Sequence, residues 1–150
     1  MTGADRAGTA IGLDVGSVRV GLAATDPTGT IASPVTTLPR RNAAAMWRRL
    51  RDEAANRGAT RIVVGLPRLL SGAEGDAALG ARAFAAEVSQ RTGLAVELWD
   101  ERLTTVQAER SLIAGGVRRR RRREVIDAVA AALMLQSWLD ARSSMRPRGA

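Results

Sequence analysis

Residues 9–24 read TAIGLDVGSVRVGLAA, and this stretch decides the fold. Apolar residues and glycines dominate its two halves, and the Gly16-Ser17 pair between them is typical of a tight two-residue hairpin turn. We therefore predict two antiparallel strands, Thr9–Val15 and Val18–Ala24, near the start of the chain.

The first of these strands carries a single acidic residue, Asp14. Alternation of side chains along a strand puts Gly12 and Asp14 on one face and the apolar residues on the other. A two-residue turn pairs Asp14 with Arg19 and Gly12 with Gly21, so Asp14 lies among very small neighbours. Such a face has room for a ligand, a metal ion or another backbone. The alternative is a cross-strand ion pair between Asp14 and Arg19, which is common on sheets.

Outward from the hairpin, strands alternate with helices. Pro34 interrupts the next strand, so we expect that strand at the edge of the sheet. The predicted elements are strand Thr30–Leu38, helix Asn42–Asn56, strand Arg61–Val64, a Gly-rich loop at 68–76, helix Ala77–Arg91 capped by Asp76, strand Leu94–Trp99, a helix from a Thr104–Gln107 capping box to Gly115, and helix Glu124–Asp140.

This order predicts an α/β fold, a mixed five-stranded sheet flanked by helices. Right-handed crossovers bring the later, parallel strands beside the first one. We expect a single domain over residues 1–150, ordered from about residue 9 to residue 142, with disordered N-terminal and C-terminal tails.

Composition restricts the chemistry available to the chain. It has 150 residues, 45% hydrophobic and 25% charged, with no Cys and no His. Disulfides, thiol nucleophiles, imidazole catalysis and zinc sites of the usual ligand type are therefore excluded. Because the chain shows neither an apolar run of membrane-spanning length nor a signal core, we expect no membrane association and a cytoplasmic location.

The positive charge is concentrated late in the sequence. All 23 basic residues are Arg, the formal net charge is +8, and residues 118–150 contain nine Arg against three acids. Six arginines are consecutive: Arg118, Arg119, Arg120, Arg121, Arg122 and Arg123. Such a block is typical of a solvated loop that meets phosphates, so we predict a nucleic-acid partner. The alternative is a feature that only aids solubility.

Two further acidic features accompany Asp14. Asp100-Glu101 follows a predicted parallel strand, where α/β folds bind ligands, and Asp127 is the one polar residue in an apolar stretch of the last helix. Each has a simpler explanation as an acid near a helix N-terminus, stabilised by the helix dipole.

In a sheet whose later strands flank the first, the positions of these three acids can converge. Converging carboxylates without histidine suit Mg²⁺ or Mn²⁺, which prefer hard oxygen ligands. Two such ions about 4 Å apart can activate a water and stabilise the leaving oxygen in phosphodiester hydrolysis. The sequence therefore favours a metal-dependent nuclease, a hydrolase in which the Arg block guides the nucleic-acid backbone.

Four segments resemble the YqgF (RuvX) family. They begin at Ile11 (IGLDVGSVRVG), Val64 (VGLP), Asp100 (DERLTT) and Val125 (VIDAVAA), and DERLTT is the most specific of them. The family is described as the nuclease that matures the 5′ end of pre-16S ribosomal RNA and as a Holliday junction resolvase. One segment departs from the family pattern, because residues 68–72 read RLLSG where members often have Asn-x-Asp-Gly.

The resemblance implies an RNase H-like fold, with Asp14, Glu101 and Asp127 as the catalytic, metal-binding acids. It also implies a basic segment at Arg118–Arg123, which we expect to become ordered on nucleic acid, while Arg19 and Arg102 orient an acid or contact phosphate. The implied function is endonucleolytic rRNA processing in ribosome biogenesis. The implied partners are a structured RNA precursor or branched DNA, with ribosomal particles, and the protein is a monomer or a homodimer.

Three other functions stay open. A phosphate-binding ATPase of the actin and Hsp70 type has a similar first hairpin but needs a much longer chain. A non-catalytic nucleic-acid-binding module of the same fold has no need of three acids near phosphate. A junction resolvase cuts symmetrically and therefore needs a dimer.

Overall fold

The computed structural model describes residues 8–104 and 119–145, and the side chains of residues 8–104 and 126–143. Its five strands are β1 Thr9–Val15, β2 Arg19–Thr25, β3 Ala32–Pro39, β4 Ala59–Leu66 and β5 Ala95–Asp100. Its helices are α1 Ala43–Arg57, α2 Asp76–Thr92 and α3 Arg119–Met145, and a short 3-10 turn covers Glu101–Leu103.

The five strands form one mixed sheet in the order β3-β2-β1-β4-β5. β1 is antiparallel to β2, and β2 to β3, whereas β1, β4 and β5 run parallel. The predicted α/β architecture is therefore confirmed. β3 lies at the edge, as Pro34 indicates, because proline cannot donate a hydrogen bond to a second neighbouring strand.

Helices cover both faces of this sheet. On one face, α1 and α2 pack against large apolar side chains such as Ile11 and Leu22, and Trp47 stacks on Phe84 with ring centroids 5.1 Å apart. On the other face, α3 packs against Ala10, Ala23 and Val63. The small residues on the α3 face let that helix approach closely, which positions Asp127.

The predicted hairpin register is wrong by two residues on β2. Asp14 pairs with Gly21, and the two turn residues are Ser17 and Val18, closed by the Gly16 N–H donating to the Arg19 carbonyl at 2.8 Å. Tertiary packing accounts for the shift, because α3 passes directly over Gly21, where only a glycine leaves room. The side-chain faces of β1 remain as predicted.

The last helix begins at Arg119, earlier than the predicted Glu124. The backbone of residues 119–123 is therefore helical, and the prediction of a loop is wrong there. The high helix propensity of arginine is the physical reason. Arg118 and the side chains of residues 119–123 lie outside the described residues. Asp127 consequently lies in the third turn of α3, so the helix dipole does not explain it.

Two other predicted caps also differ. Gly75 precedes α2 without a side-chain cap, and Asp76 is the first helical residue. Thr104 ends the 3-10 turn, its hydroxyl donating to the Glu101 carbonyl at 2.8 Å. The helix predicted after Thr104 and both predicted disordered tails fall outside the described residues, except Gly8 and the end of α3.

Candidate active site

Asp14 lies near the carboxyl end of β1, on the face of the sheet that α3 covers. Two residues earlier, a Cβ added at Gly12 would stand 2.9 Å from the Leu135 Cβ of α3, so Gly12 and Asp14 lie on the side of the sheet that faces α3. Across the ladder Asp14 pairs with Gly21. The Asp14 carboxylate is therefore half-buried beside a position that has no side chain.

At Gly21, the backbone of α3 comes very close to the sheet. A Cβ there would overlap the carbonyl carbon and oxygen of Asp127 and lie 3.0 Å from the Ala128 nitrogen. The backbone of Asp127 is thus pressed against the direct partner of Asp14. The glycine is required here because of this close approach.

The Asp127 carboxylate accepts a hydrogen bond from Arg19. The Arg19 Nε lies 2.8 Å from Asp127 Oδ2, and the two side chains are 30% and 20% exposed. The sequence suggested Asp14 as the partner of Arg19, but the structure joins Arg19 to Asp127. The pair ties the β1–β2 hairpin to α3.

Glu101 reaches the same edge of the sheet from the other side of β1. It opens the 3-10 turn after β5, and a Cβ at Gly65 would stand 2.5 Å from Glu101 Oε1. Gly65 follows Val64, the parallel partner of Leu13. Glu101 therefore lies over the strand next to Asp14, again above a glycine.

Asp100 fixes the geometry of this turn. Its Oδ1 accepts from the Arg102 backbone N–H at 2.9 Å, and its Oδ2 accepts from Arg102 Nη2 at 2.7 Å and from Arg68 Nη1 at 3.4 Å. These contacts, chiefly with Arg102, lower the pKa of Asp100 to about 2. Asp100 stands beside Glu101 in the sequence, but its role as an anchor for two arginines could not be predicted, since Arg68 is distant in sequence.

Asp14, Glu101 and Asp127 thus occupy one corner of the fold, with glycines between them. Within the described residues, however, no three acidic side chains form a cluster ready to hold a metal ion. The oxygen donors suit Mg²⁺ or Mn²⁺, and Arg19 already engages one oxygen of Asp127. A metal ion bound at this corner would share the Asp127 carboxylate with Arg19.

A groove borders this corner on the side of β3. It has a volume of about 560 Å³ and lies between β3 and α3; its lining includes Arg19, Thr36, Thr37, Pro39, Ala128 and Val129. Of the predicted nucleic-acid-binding residues, Arg19 faces this groove, whereas Arg102 is held by Asp100. None of the helices in the described part of the chain is long and apolar enough to cross a membrane.

Comparison with known proteins agrees with this architecture. The family profile described as "RuvX: Holliday junction resolvase" matches residues 8–141. A protein of Mycolicibacterium paratuberculosis named "Putative pre-16S rRNA nuclease" is 48% identical over 136 residues, covering 90% of this chain and 81% of that protein. A protein of Cereibacter sphaeroides with the same name is 48% identical over 135 residues, covering 90% and 84%.

Among solved structures, Thermus thermophilus RuvC in complex with a Holliday junction substrate superposes with a TM-score of 0.54. The identity is 14%, and the match covers 90% of this chain and 96% of RuvC, so it supports the RNase H-like fold alone. The family profile and the two relatives carry the assignment further. By the match to the family profile and by the identity to these two relatives, this chain is a member of the RuvX family.

Proposed function

We propose that this protein is a metal-dependent endonuclease that hydrolyses a phosphodiester bond of ribosomal RNA precursor at the 5′ end of 16S rRNA. One observation carries the proposal: three acids from distant parts of the chain approach one corner of the sheet over Gly21 and Gly65. The family membership and the names of the relatives support the choice of a nuclease acting on RNA.

In this proposal Asp14, Glu101 and Asp127 hold divalent metal through their carboxylate oxygens. Bound Mg²⁺ or Mn²⁺ would supply an activated water and stabilise the leaving oxygen. Arg19 exchanges its contact with Asp127 for a contact with substrate phosphate. Asp100 holds the Glu101 turn in place and keeps Arg102 beside it.

Substrate binding in this proposal uses the groove between β3 and α3. A single RNA strand in that groove would run past Arg19 toward Asp127. The basic stretch 118–123 would contribute further phosphate contacts. Ribosomal particles are the expected context of the substrate, and the bacterial cytoplasm is where such a substrate occurs.

Cleavage of defined substrates tests the proposal. End-labelled precursor rRNA and a four-way DNA junction are incubated with the wild type or with Asp14→Asn, with and without Mg²⁺ or Mn²⁺. We expect metal-dependent cutting of the RNA, reduced by at least about 100-fold in the variant, because loss of a ligand removes several kcal/mol of transition-state stabilisation.

The other outcomes separate the competing functions. Symmetric cutting of the junction by a dimer, with the RNA left intact, would establish a resolvase. Binding without cutting, equal in both proteins and under every metal, would establish a non-catalytic module. Nucleotide binding would favour the phosphate-binding ATPase type.

A further inference from the structure

Contacts among its own residues close the 3-10 turn that follows β5. The Asp100 carboxylate accepts from the Arg102 N–H at 2.9 Å. The Thr104 N–H and hydroxyl both donate to the Glu101 carbonyl, at 3.1 and 2.8 Å. These contacts fix the shape of the turn, but they do not fix its place relative to α3, the helix that carries Asp127.

A serine of α3 binds this turn directly. The Ser137 hydroxyl donates to the carbonyl of Leu103, the last residue of the turn, at 3.2 Å. The same oxygen accepts from Trp99 Nε1 at 3.2 Å, and Trp99 packs against the apolar core beneath α3. A serine hydroxyl has one proton to donate and lone pairs to accept, so it can make both bonds at once. Ser137 therefore links α3 to β5 and to the turn.

Trp99 belongs to a row of residues that crosses the sheet on the side of α3. Gly21 pairs with Asp14 between β2 and β1, and Gly65 pairs with Trp99 between β4 and β5. Asp14 and Gly65 stand at the same level, because the residues that precede them are partners in the parallel ladder between β1 and β4. The row therefore runs from β2 to β5 past the first candidate acid.

One helix contacts both ends of this row. The Asp127 backbone lies over Gly21 at one end, and Ser137 binds Trp99 at the other. The ten residues of helix between Asp127 and Ser137 rise about 15 Å, and the three strand spacings from β2 to β5 amount to about 14 Å. This length of helix is enough to span the row, with the candidate acids between its ends.

We propose that Ser137 is a positioning residue, which holds the turn that carries Glu101 at a fixed place relative to Asp127. Its hydroxyl binds the Leu103 carbonyl and the Trp99 indole, so it acts on the acids through the turn. Groups that orient metal ligands without touching the metal are commonly worth about 10–100-fold in metal affinity or activity. The role of the acids as ligands rests on the proposed function, whereas the link from α3 to the turn rests on these contacts.

The experiment compares Ser137→Ala with the matched control Gln136→Ala. Gln136 is the preceding residue of α3, and its side chain accepts from the Ala32 N–H at 2.8 Å, on the strand at the other edge of the sheet from β5. Each variant removes side-chain hydrogen bonds of α3, so we expect both to fold with a modestly lower melting temperature. Ser137→Thr keeps the hydroxyl and should behave like the wild type.

Hydrogen exchange tests the position of the turn without metal. In EDTA, nuclear magnetic resonance follows exchange at the Arg102 and Thr104 amides. We expect Ser137→Ala to speed this exchange about 5- to 10-fold, the factor that loss of one ordinary hydrogen bond produces, and Gln136→Ala to leave it unchanged. Equal exchange in the two alanine variants would overturn the inference, whether or not the protein cuts RNA.

Metal binding and cleavage test the consequence for the acids. Electron paramagnetic resonance of free Mn²⁺ gives the metal affinity, and single-turnover cleavage at saturating precursor RNA gives the rate. Ser137→Ala should lower both about tenfold and leave RNA affinity in EDTA unchanged, while Gln136→Ala changes neither and Ser137→Thr restores both.

The remaining outcomes separate this inference from the proposed function. If the wild type binds Mn²⁺ and cuts RNA but Ser137→Ala matches Gln136→Ala in both assays, the inference is overturned and the nuclease proposal stands. A loss that Ser137→Thr does not restore would also overturn the inference, because the hydroxyl would then not be its cause. A wild type that neither binds Mn²⁺ nor cuts would overturn the nuclease proposal, and the exchange comparison would then decide the inference alone.

Discussion

Gly21→Ala directly tests how α3 packs against the sheet. The new Cβ would overlap the Asp127 carbonyl, a backbone group that cannot rotate away as a side chain would. To reach an ordinary carbon–oxygen separation of about 3.3 Å, the carbonyl must retreat by more than about 1 Å. That displacement lifts the third turn of α3 away from β2.

Two effects follow from this displacement. Overpacking of this kind costs about 1–3 kcal/mol, which for a chain of this size lowers the melting temperature by about 2–12 °C. Under the proposed function, in which Asp127 holds the metal ion, a shift of about 1 Å at this residue can cost about 100-fold in rate. We therefore expect a folded, less stable protein whose cleavage of precursor RNA is reduced about 100-fold.

Differential scanning calorimetry and single-turnover cleavage measure the two effects. Gly80→Ala is the matched control, because a Cβ at this exposed site in α2 meets no atom within 4 Å. Helix propensity alone should make that control about 0.5–1 kcal/mol more stable than the wild type. If Gly21→Ala behaves like the control in both assays, α3 does not rest on β2 as described, and the reasoning about Asp127 fails.

Three further predictions concern Glu101, Asp100 and the α3 core. Gly65→Ala should reduce cleavage at least about tenfold with little change in melting temperature, because the atom nearest to the new Cβ, 2.5 Å away, is at the movable end of the Glu101 side chain. A large fall in melting temperature beside the loss of cleavage would contradict this. Asp100→Asn should be less stable than the wild type at neutral pH, because Arg102 lowers the pKa of Asp100 in the folded state. Chemical denaturation should show this difference in stability vanishing as pH falls from about 3.8 to about 2. A difference that persists at pH 2 would exclude the charge as its cause. Leu135→Ala should cost about 2–5 kcal/mol in denaturant unfolding, as its side chain is fully buried against Gly12; a loss below 1 kcal/mol would mean that the α3 interface is loose.

Local sequence patterns predicted most of the fold. β1 has the predicted ends, and the Pro34 strand lies at the edge as expected. The hairpin register could not be predicted, because a Gly-Ser pair favours one turn while the close approach of α3 to Gly21 selects another. Contacts between residues far apart in sequence decided the outcome.

The candidate site also combines features that could be predicted from the sequence with features that could not. The sequence indicated three acids, and the structure brings their backbones to one corner of the sheet. It could not indicate that Arg19 bonds to Asp127, a residue 108 positions later, or that Asp100 holds both Arg68 and Arg102. These pairings depend on which strands become neighbours, and strand order is a property of the whole chain.

The contact between Arg19 and Asp127 joins a segment that is synthesised early to one that is synthesised late. The hairpin that carries Asp14 leaves the ribosome first, whereas the residues that cover its second face and complete the acid corner are made more than a hundred positions later. Until α3 docks, the sheet face around Gly12 and Ala23 stays uncovered and long-range loop closure remains to be achieved. A nascent chain that lacks α3 therefore has not yet assembled the corner at which Asp14, Glu101 and Asp127 meet.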